Sequence, residues 1–161
     1  MDKYLFLDRD GTLVQEPADY HINALEKIRL VPLVIPSLLK LRDVGYTFII
    51  VSNQDGLGTA TFPITPFQHC HEFIVDIFNS QGLEFSDVLI CPHFPEDACI
   101  CRKPNTGMVE SYLDRSNWDR KLSAVIGDRE TDMQLARNMG VKGLRVNSPF
   151  APGLTWPQIA D

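Results

Sequence analysis

The sequence predicts an α/β fold: a doubly wound, mostly parallel sheet with helices on both faces. Three observations predict it. Short apolar runs rich in β-branched and aromatic residues alternate with longer segments whose apolar residues recur at helical spacing. Glycines close those longer segments. Strands alternating with helices imply βαβ units, whose crossovers cover both faces of a parallel sheet.

Tyr4–Leu7 is a short apolar run bounded by charge, as expected of a buried strand. From Val34 to Val44 the spacing of Val34, Leu38 and Leu41 predicts a helix that stops at Gly45. Tyr46–Val51 is β-branched and aromatic, hence a second strand. Thr65–Gln81 carries Phe67, Cys70, Ile74, Ile77 and Phe78 on one helical face and ends at Gly82. Val88–Cys91 reads as a third strand and Ala124–Ile126 as a fourth. A helix over Thr131–Met139 ends at Gly140, and a last strand lies near Gly143–Val146. The segments between them, Leu13–Val34, Asn53–Thr65 and the cysteine loop, are too short for a separate cap domain, so residues 1–161 read as a single domain with an open site.

Composition narrows the function. Of 161 residues, 44% are hydrophobic and 22% charged, enough for one core. With 21 acidic against 15 basic residues the net charge is −6, and no basic cluster stands out, which argues against nucleic acid and anionic membranes as partners. The apolar run after Met1 is too short for a signal-peptide core and no segment reaches membrane-spanning length, so a cytoplasmic location is expected.

Parallel sheets bind ligands at the carboxyl ends of their strands, and polar residues collect there. Asp8-Arg9-Asp10 follows the first strand, Ser52-Asn53 the second and Gly127-Asp128 the fourth, with Lys103 beyond the third. Asp8 and Asp10, turned into one pocket by Gly11, could attack phosphorus and shuttle a proton to the leaving oxygen. A phosphate beside carboxylates needs a divalent cation. Magnesium requires only one or two protein carboxylates, here Asp8 and Asp128, while Lys103 and the Ser52 hydroxyl balance the remaining phosphoryl charge. Singly each motif is ordinary turn, cap or surface chemistry; in order, at four strand ends, they point to one site.

Cys91, His93, Cys99 and Cys101 place four soft ligands in one loop. Zinc takes such a set tetrahedrally, and with no position left for water the site would be structural. The spacing is tighter than a usual knuckle, but a Cys99–Cys101 disulfide would be strained and a reducing compartment disfavours one from Cys91 to Cys99. The loop's task would be to deliver Lys103. Cys70 reads as a small core hydrophobe, and its neighbours His69 and His71 point apart, into core or surface roles.

Asp8-Arg9-Asp10-Gly11-Thr12, Ser52-Asn53-Gln54, Cys101-Arg102-Lys103-Pro104 and Gly127-Asp128-Arg129-x-Thr131-Asp132 resemble the four motifs of haloacid dehalogenase-type phosphatases, and the likeness runs from Lys3 to about Asn147. It implies a Rossmann-like sheet and a phospho-aspartyl intermediate on Asp8. It implies that Asp10 acts as acid and then base, and that Asp8, Asp128 and the Asp10 main-chain carbonyl hold magnesium. Ser52, Asn53 and Lys103 would bind the phosphate, and Asp132 would orient Lys103 or a metal-bound water. The zinc-loop members include phosphatases of histidinol phosphate and of heptose 1,7-bisphosphate. Glu16-Pro17, the run Asn53–Thr59 with Phe62-Pro63, and Leu89–His93 resemble the first more closely. The expected substrate is therefore a small phosphate monoester, histidinol phosphate, in histidine biosynthesis, with the heptose bisphosphate or a non-catalytic phosphometabolite-binding module as alternatives. A phosphotransferase is a further alternative that the open pocket disfavours. An acidic rim would suit a substrate bearing an ammonium and an imidazole, with Glu16 pairing the amine, Gln15, Asp19, Gln54 and Asp55 nearby, and Arg102 as a second substrate contact; His21 reads as a surface loop residue, with lining of the pocket as the alternative. In many bacteria the related phosphatase is fused to an imidazoleglycerol-phosphate dehydratase, a fused or associated partner absent from these residues.

Overall fold

A computed structural model describes all 161 residues, Met1–Asp161. Five strands, β1 (Lys3–Leu7), β2 (Tyr46–Asn53), β3 (Phe85–Cys91), β4 (Ala124–Gly127) and β5 (Lys142–Arg145), form one sheet of order β3-β2-β1-β4-β5. Every neighbouring pair is parallel. The helices are α1 (Val34–Asp43), α2 (Ile64–Ser80), α3 (Glu110–Leu113), α4 (Glu130–Met139) and α5 (Trp156–Ile159). Each strand and long helix expected from the sequence is present, with ends shifted by a few residues at most. The short α3 and α5 were not expected, since four residues are too few to show a helical period.

Parallel strands buried on both faces need apolar residues at consecutive positions. Accordingly β1 sends Leu5 and Leu7 to one face and Tyr4 and Phe6 to the other, all four buried. The first face packs on Val34, Leu38 and Leu41 of α1, Cys70, Ile74 and Phe78 of α2, and Trp156 of α5. The second packs on Tyr112 of α3 and Leu135, Ala136 and Met139 of α4. Cys70 is thus the core thiol expected. No helix is long and apolar enough to cross a membrane.

The strand order reverses direction between β1 and β4. That reversal opens a crevice at their carboxyl ends, where the first crossover leaves one way and the last leaves the other. Leu7 is level with Ile50 of β2 and Ile126 of β4, so Asp8 emerges at the crevice, its N–H bonded to the Ile126 carbonyl at 2.9 Å. Trp156 closes the loop from behind, donating from Nε1 to the Thr12 carbonyl at 2.8 Å.

Candidate active site

After β1 the chain turns back sharply, the Arg9 carbonyl accepting from the N–H groups of Thr12, Leu13 and Val14. Gly11 makes the turn at φ +87°, where a Cβ would stand 2.3 Å from Asp128 Oδ2. The close approach of the β1 and β4 loops therefore requires glycine at this position. Gly127, at the end of β4, leaves room for the start of α4, a Cβ there meeting Asp132 Cγ at 2.2 Å.

Lys103 stands at the centre. Its ammonium donates to Asp8 Oδ1 at 2.9 Å, Asp132 Oδ1 at 2.7 Å and the Val51 carbonyl at 2.8 Å, and the residue is 3% exposed. All three ammonium protons are therefore used. Asp132 Oδ2 accepts from the Arg129 N–H at 3.1 Å, which fastens the Lys103 partner to the start of α4. Asn53 grips the Lys103 backbone, accepting from its N–H at 2.9 Å and donating to its carbonyl at 3.2 Å. The Asn53 amide is thus engaged with the main chain of its neighbour, and Ser52, 1% exposed, accepts from Gln54 Nε2 at 2.9 Å with its own O–H left to donate.

Asp10 is held by Arg9, to which the sequence assigned no role, and by Gln54, which was expected at the substrate rim. Arg9, wholly buried, forks onto it, Nε to Oδ1 at 2.8 Å and a terminal N–H to Oδ2 at 3.2 Å, and Gln54 Nε2 donates to Oδ2 at 2.8 Å. The Arg9 guanidinium lies 4.6 Å over the Phe67 ring and meets His71 Nδ1 at 3.2 Å. Arg9 had one legible signal, its place between the two aspartates. His71 had none, because its contact spans 62 residues of sequence.

The crevice is a cavity of about 450 Å³ lined by six acidic and three basic side chains, so it is net acidic. Each acid of its rim already has a basic partner: Glu16 with Arg129 at 2.7 Å, Asp55 with Arg102 at 3.0 Å and Asp19 with Lys27 at 2.6 Å. Glu16 therefore sits where expected, but paired. His21 also lines the cavity, its ring stacked on Phe62 at 4.0 Å.

A family model described as HAD-hydrolase-like matches residues 100–150. The histidine biosynthesis bifunctional protein HisB of Legionella pneumophila (strain Lens) is 53% identical over all of this chain. The bifunctional HisB of Campylobacter jejuni (serotype O:6) is 52% identical over 99% of it. The chain spans 45% and 44% of the length of these two relatives. Among solved structures, D,D-heptose 1,7-bisphosphate phosphatase from B. bronchiseptica, complexed with magnesium and phosphate, superposes with a TM-score of 0.80 at 26% identity, over 90% of this chain and 80% of that one. In sequence over residues 100–150 and in fold, the chain is similar to the haloacid dehalogenase-like hydrolases. A HAD-like phosphatase from Mesorhizobium loti gives 0.79 at 26% identity, over 91% of this chain and 73% of its own.

Two clusters of side chains have the chemistry of metal sites. Asp8, Asp128 and Asp132 bring carboxylate oxygens within 4.8 Å of one another, and both Asp128 oxygens are buried with no hydrogen-bond partner. Burial pushes the Asp8 carboxyl up to about 7 despite the opposing pull of Lys103, and the Asp128 charge adds to the rise. Burial likewise lifts Asp132 to about 6, against Lys103, and raises Asp128, where Asp132 and Glu16 add to it. Burial works to discharge Lys103, but Asp132 and Asp8 outweigh it and hold its ammonium charged well above the usual range. Three carboxylates against one ammonium leave unbalanced negative charge. A proton shared with Asp8 would satisfy one Asp128 oxygen; an oxygen-seeking divalent cation together with its bound waters would satisfy both.

The second cluster joins Cys91, His93, Cys99 and Cys101 within the same 4.8 Å limit. Cys91–Cys99 at 3.6 Å, Cys101–Cys99 at 3.5 Å and Cys91–His93 Nδ1 at 3.4 Å lie near the edges, about 3.5–3.8 Å, of a tetrahedron around zinc. Cys101 is closer to His93 Nδ1, at 3.2 Å, and to Cys91, at 2.9 Å. The donor set fits a soft tetrahedral ion. This loop carries the site: the Arg102 N–H bonds Cys99 Sγ at 3.3 Å, and the next residue is Lys103.

Removing the central cation tests the geometry directly. Lys103→Met leaves Asp8 and Asp132 buried and unpaired, so the metal-free protein should lose about 3–5 kcal/mol of stability. Denaturant titration checks this. Adding Asp132→Leu should restore part of the loss, and a single variant as stable as the parent contradicts the network.

Proposed function

We propose that this chain is a magnesium-dependent histidinol-phosphate phosphatase that works through an aspartyl phosphate on Asp8. The observation that carries the reaction is the Asp8 carboxylate, oriented by Lys103 and facing the unpartnered Asp128 carboxylate at the sheet's switch point. The substrate is supported by the 53% identity with a histidine biosynthesis protein along the full length of this chain.

Asp8, Asp128 and the Asp10 main-chain carbonyl would hold magnesium, which supplies charge neutralisation for a phosphoryl group approaching carboxylates. Asp8 attacks phosphorus in line with the ester oxygen; its new O–P bond forms as the P–O ester bond breaks. Asp10 gives its proton to the departing alkoxide and so ends ionised. In the second half Asp10 takes a proton from water, whose oxygen attacks the aspartyl phosphate and releases the Asp8 carboxylate. The Lys103 charge, with its protons held by Asp8, Asp132 and the Val51 carbonyl, and the Ser52 O–H stabilise the phosphoryl oxygens, Asn53 keeps the Lys103 backbone in place, and Asp132 keeps the ammonium aimed. Cys91, His93, Cys99 and Cys101 would hold a structural zinc ion. An ammonium and an imidazole match the net acidic cavity, with Glu16 and the Arg102–Asp55 pair at its rim. The partner domain of the bifunctional relatives would be a fused or associated dehydratase.

The heptose bisphosphate phosphatase of similar fold favours a second substrate, so the deciding comparison is kcat/KM for both esters with magnesium present. A preference of about a hundredfold or more for histidinol phosphate is expected; a preference for the sugar overturns the substrate and leaves the chemistry. Cys99→Ser should lower the melting temperature and the bound zinc together, and undiminished zinc would refute the four-ligand set.

A further inference from the structure

We propose that Arg9 is a positioning residue for the acid–base group, aimed by His71 and Phe67 of α2, and that it assigns the transferred proton to Asp10 Oδ1. The inference rests on the phosphatase reading, in which Asp10 exchanges a proton with the leaving oxygen and then with water.

A carboxylate offers about four lone-pair sites. Three are taken: Oδ1 accepts from Arg9 Nε at 2.8 Å, while Oδ2 accepts from a terminal N–H of Arg9 at 3.2 Å and from Gln54 Nε2 at 2.8 Å. One site remains, and it lies on Oδ1. A fork of two parallel N–H bonds also fixes the plane of the carboxylate, which one point charge cannot do.

The fork is itself held. Arg9 is fully buried, and a buried guanidinium must be satisfied on all sides. Its remaining contacts come from one face of α2, where Phe67 and His71 are four residues apart and therefore neighbours. The guanidinium lies 4.6 Å over Phe67, the His71 ring stacks on the same phenyl at 5.8 Å and 12°, and His71 Nδ1 meets Arg9 at 3.2 Å. Arginine can only donate, so Nδ1 is the acceptor and the neutral imidazole carries its proton on Nε2. Burial, helped by the Arg9 charge, pushes His71 down to about 4, which keeps it neutral in this role. The aim of Asp10 is thus set from a helix on the far side of the loop.

The test exploits leaving-group basicity. An alkoxide needs a proton as it departs; p-nitrophenolate does not. Arg9→Met keeps a long apolar stem on Phe67 and removes the fork, and Arg9→Lys keeps the charge without the fork. For both, the first-turnover rate on histidinol phosphate should fall about tenfold to a hundredfold, within the range general acid catalysis supplies. On p-nitrophenyl phosphate the first turnover should stay within about threefold of the parent, with phosphoenzyme accumulating because Asp10 is then poorly placed as base. His71→Phe preserves the stack and removes the acceptor, so it should show a smaller loss with the same leaving-group dependence. It carries the test if the Arg9 variants do not fold. Full rescue by lysine, equal losses on both esters, or no loss in His71→Phe would overturn the inference while the phosphatase reading stands. A parent protein that releases neither leaving group refutes that reading and this inference with it.

Discussion

The site depends on one buried ammonium. Lys103 lies between Asp8 and Asp132 with the Val51 carbonyl below it, and each partner comes from the end of a different strand or helix. Such an arrangement is costly to desolvate and becomes tolerable only when every donor has an acceptor. The surrounding structure supplies that condition. Gly11 allows the β1 and β4 loops to close to contact distance, Gly127 leaves room for the Asp132 side chain, Asn53 clamps the Lys103 backbone, and the cysteine loop brings that backbone to β2. A chain that satisfies this lysine has also placed a carboxylate, Asp8, at the one edge of the sheet where a phosphate ester can reach it.

The same arithmetic of charge explains why a cation belongs beside it. Lys103 engages Asp8 and Asp132 but not Asp128, whose oxygens are buried and unpartnered. An additional lysine would satisfy them and fill the space that the phosphate needs. A small divalent ion together with its bound waters would satisfy them and add electrophilic charge on the side from which the phosphoryl group arrives. The rim follows a different logic: its acids are each paired with an arginine or lysine, so the cavity can hold a cationic substrate only by competing with those pairs, Glu16 with Arg129 foremost. Recognition of an amine there is an exchange of partners.

Much of this was legible in the sequence. β1 and β2 betray themselves by unbroken apolar runs, because burial on both faces leaves no polar position to disguise them. Asp8, Lys103 and Asp128 could be brought together from topology alone, since parallel strands deliver their carboxyl ends to one edge. Asp132 was expected to orient Lys103 or a metal-bound water, and its carboxylate bonds the ammonium. The support of Asp10 was not legible. In the sequence Arg9 is only part of the motif, between the two aspartates and with no role assigned, yet it is fully buried and faces α2. His71 lies on a helix whose apolar periodicity explains Phe67, Cys70 and Ile74 without it, and only the three-dimensional approach of that helix to the β1 loop gives it a partner. α5 was missed for a related reason: its Trp156 acts through a bond to Thr12 at a separation of 144 residues, and four residues carry no period.

The central claim is that Asp8, braced by Lys103, becomes covalently phosphorylated. Rapid mixing of the protein with histidinol phosphate and magnesium, acid quenching over the first turnover and mapping of the phosphoryl group by peptide mass would test it most directly. The account predicts an acid-stable, hydroxylamine-sensitive phosphoryl adduct on the peptide that carries Asp8, rising and then decaying as phosphate appears. Phosphate released at the full single-turnover rate with no adduct on Asp8 at any quench time would contradict it, and would assign the attack on phosphorus to water.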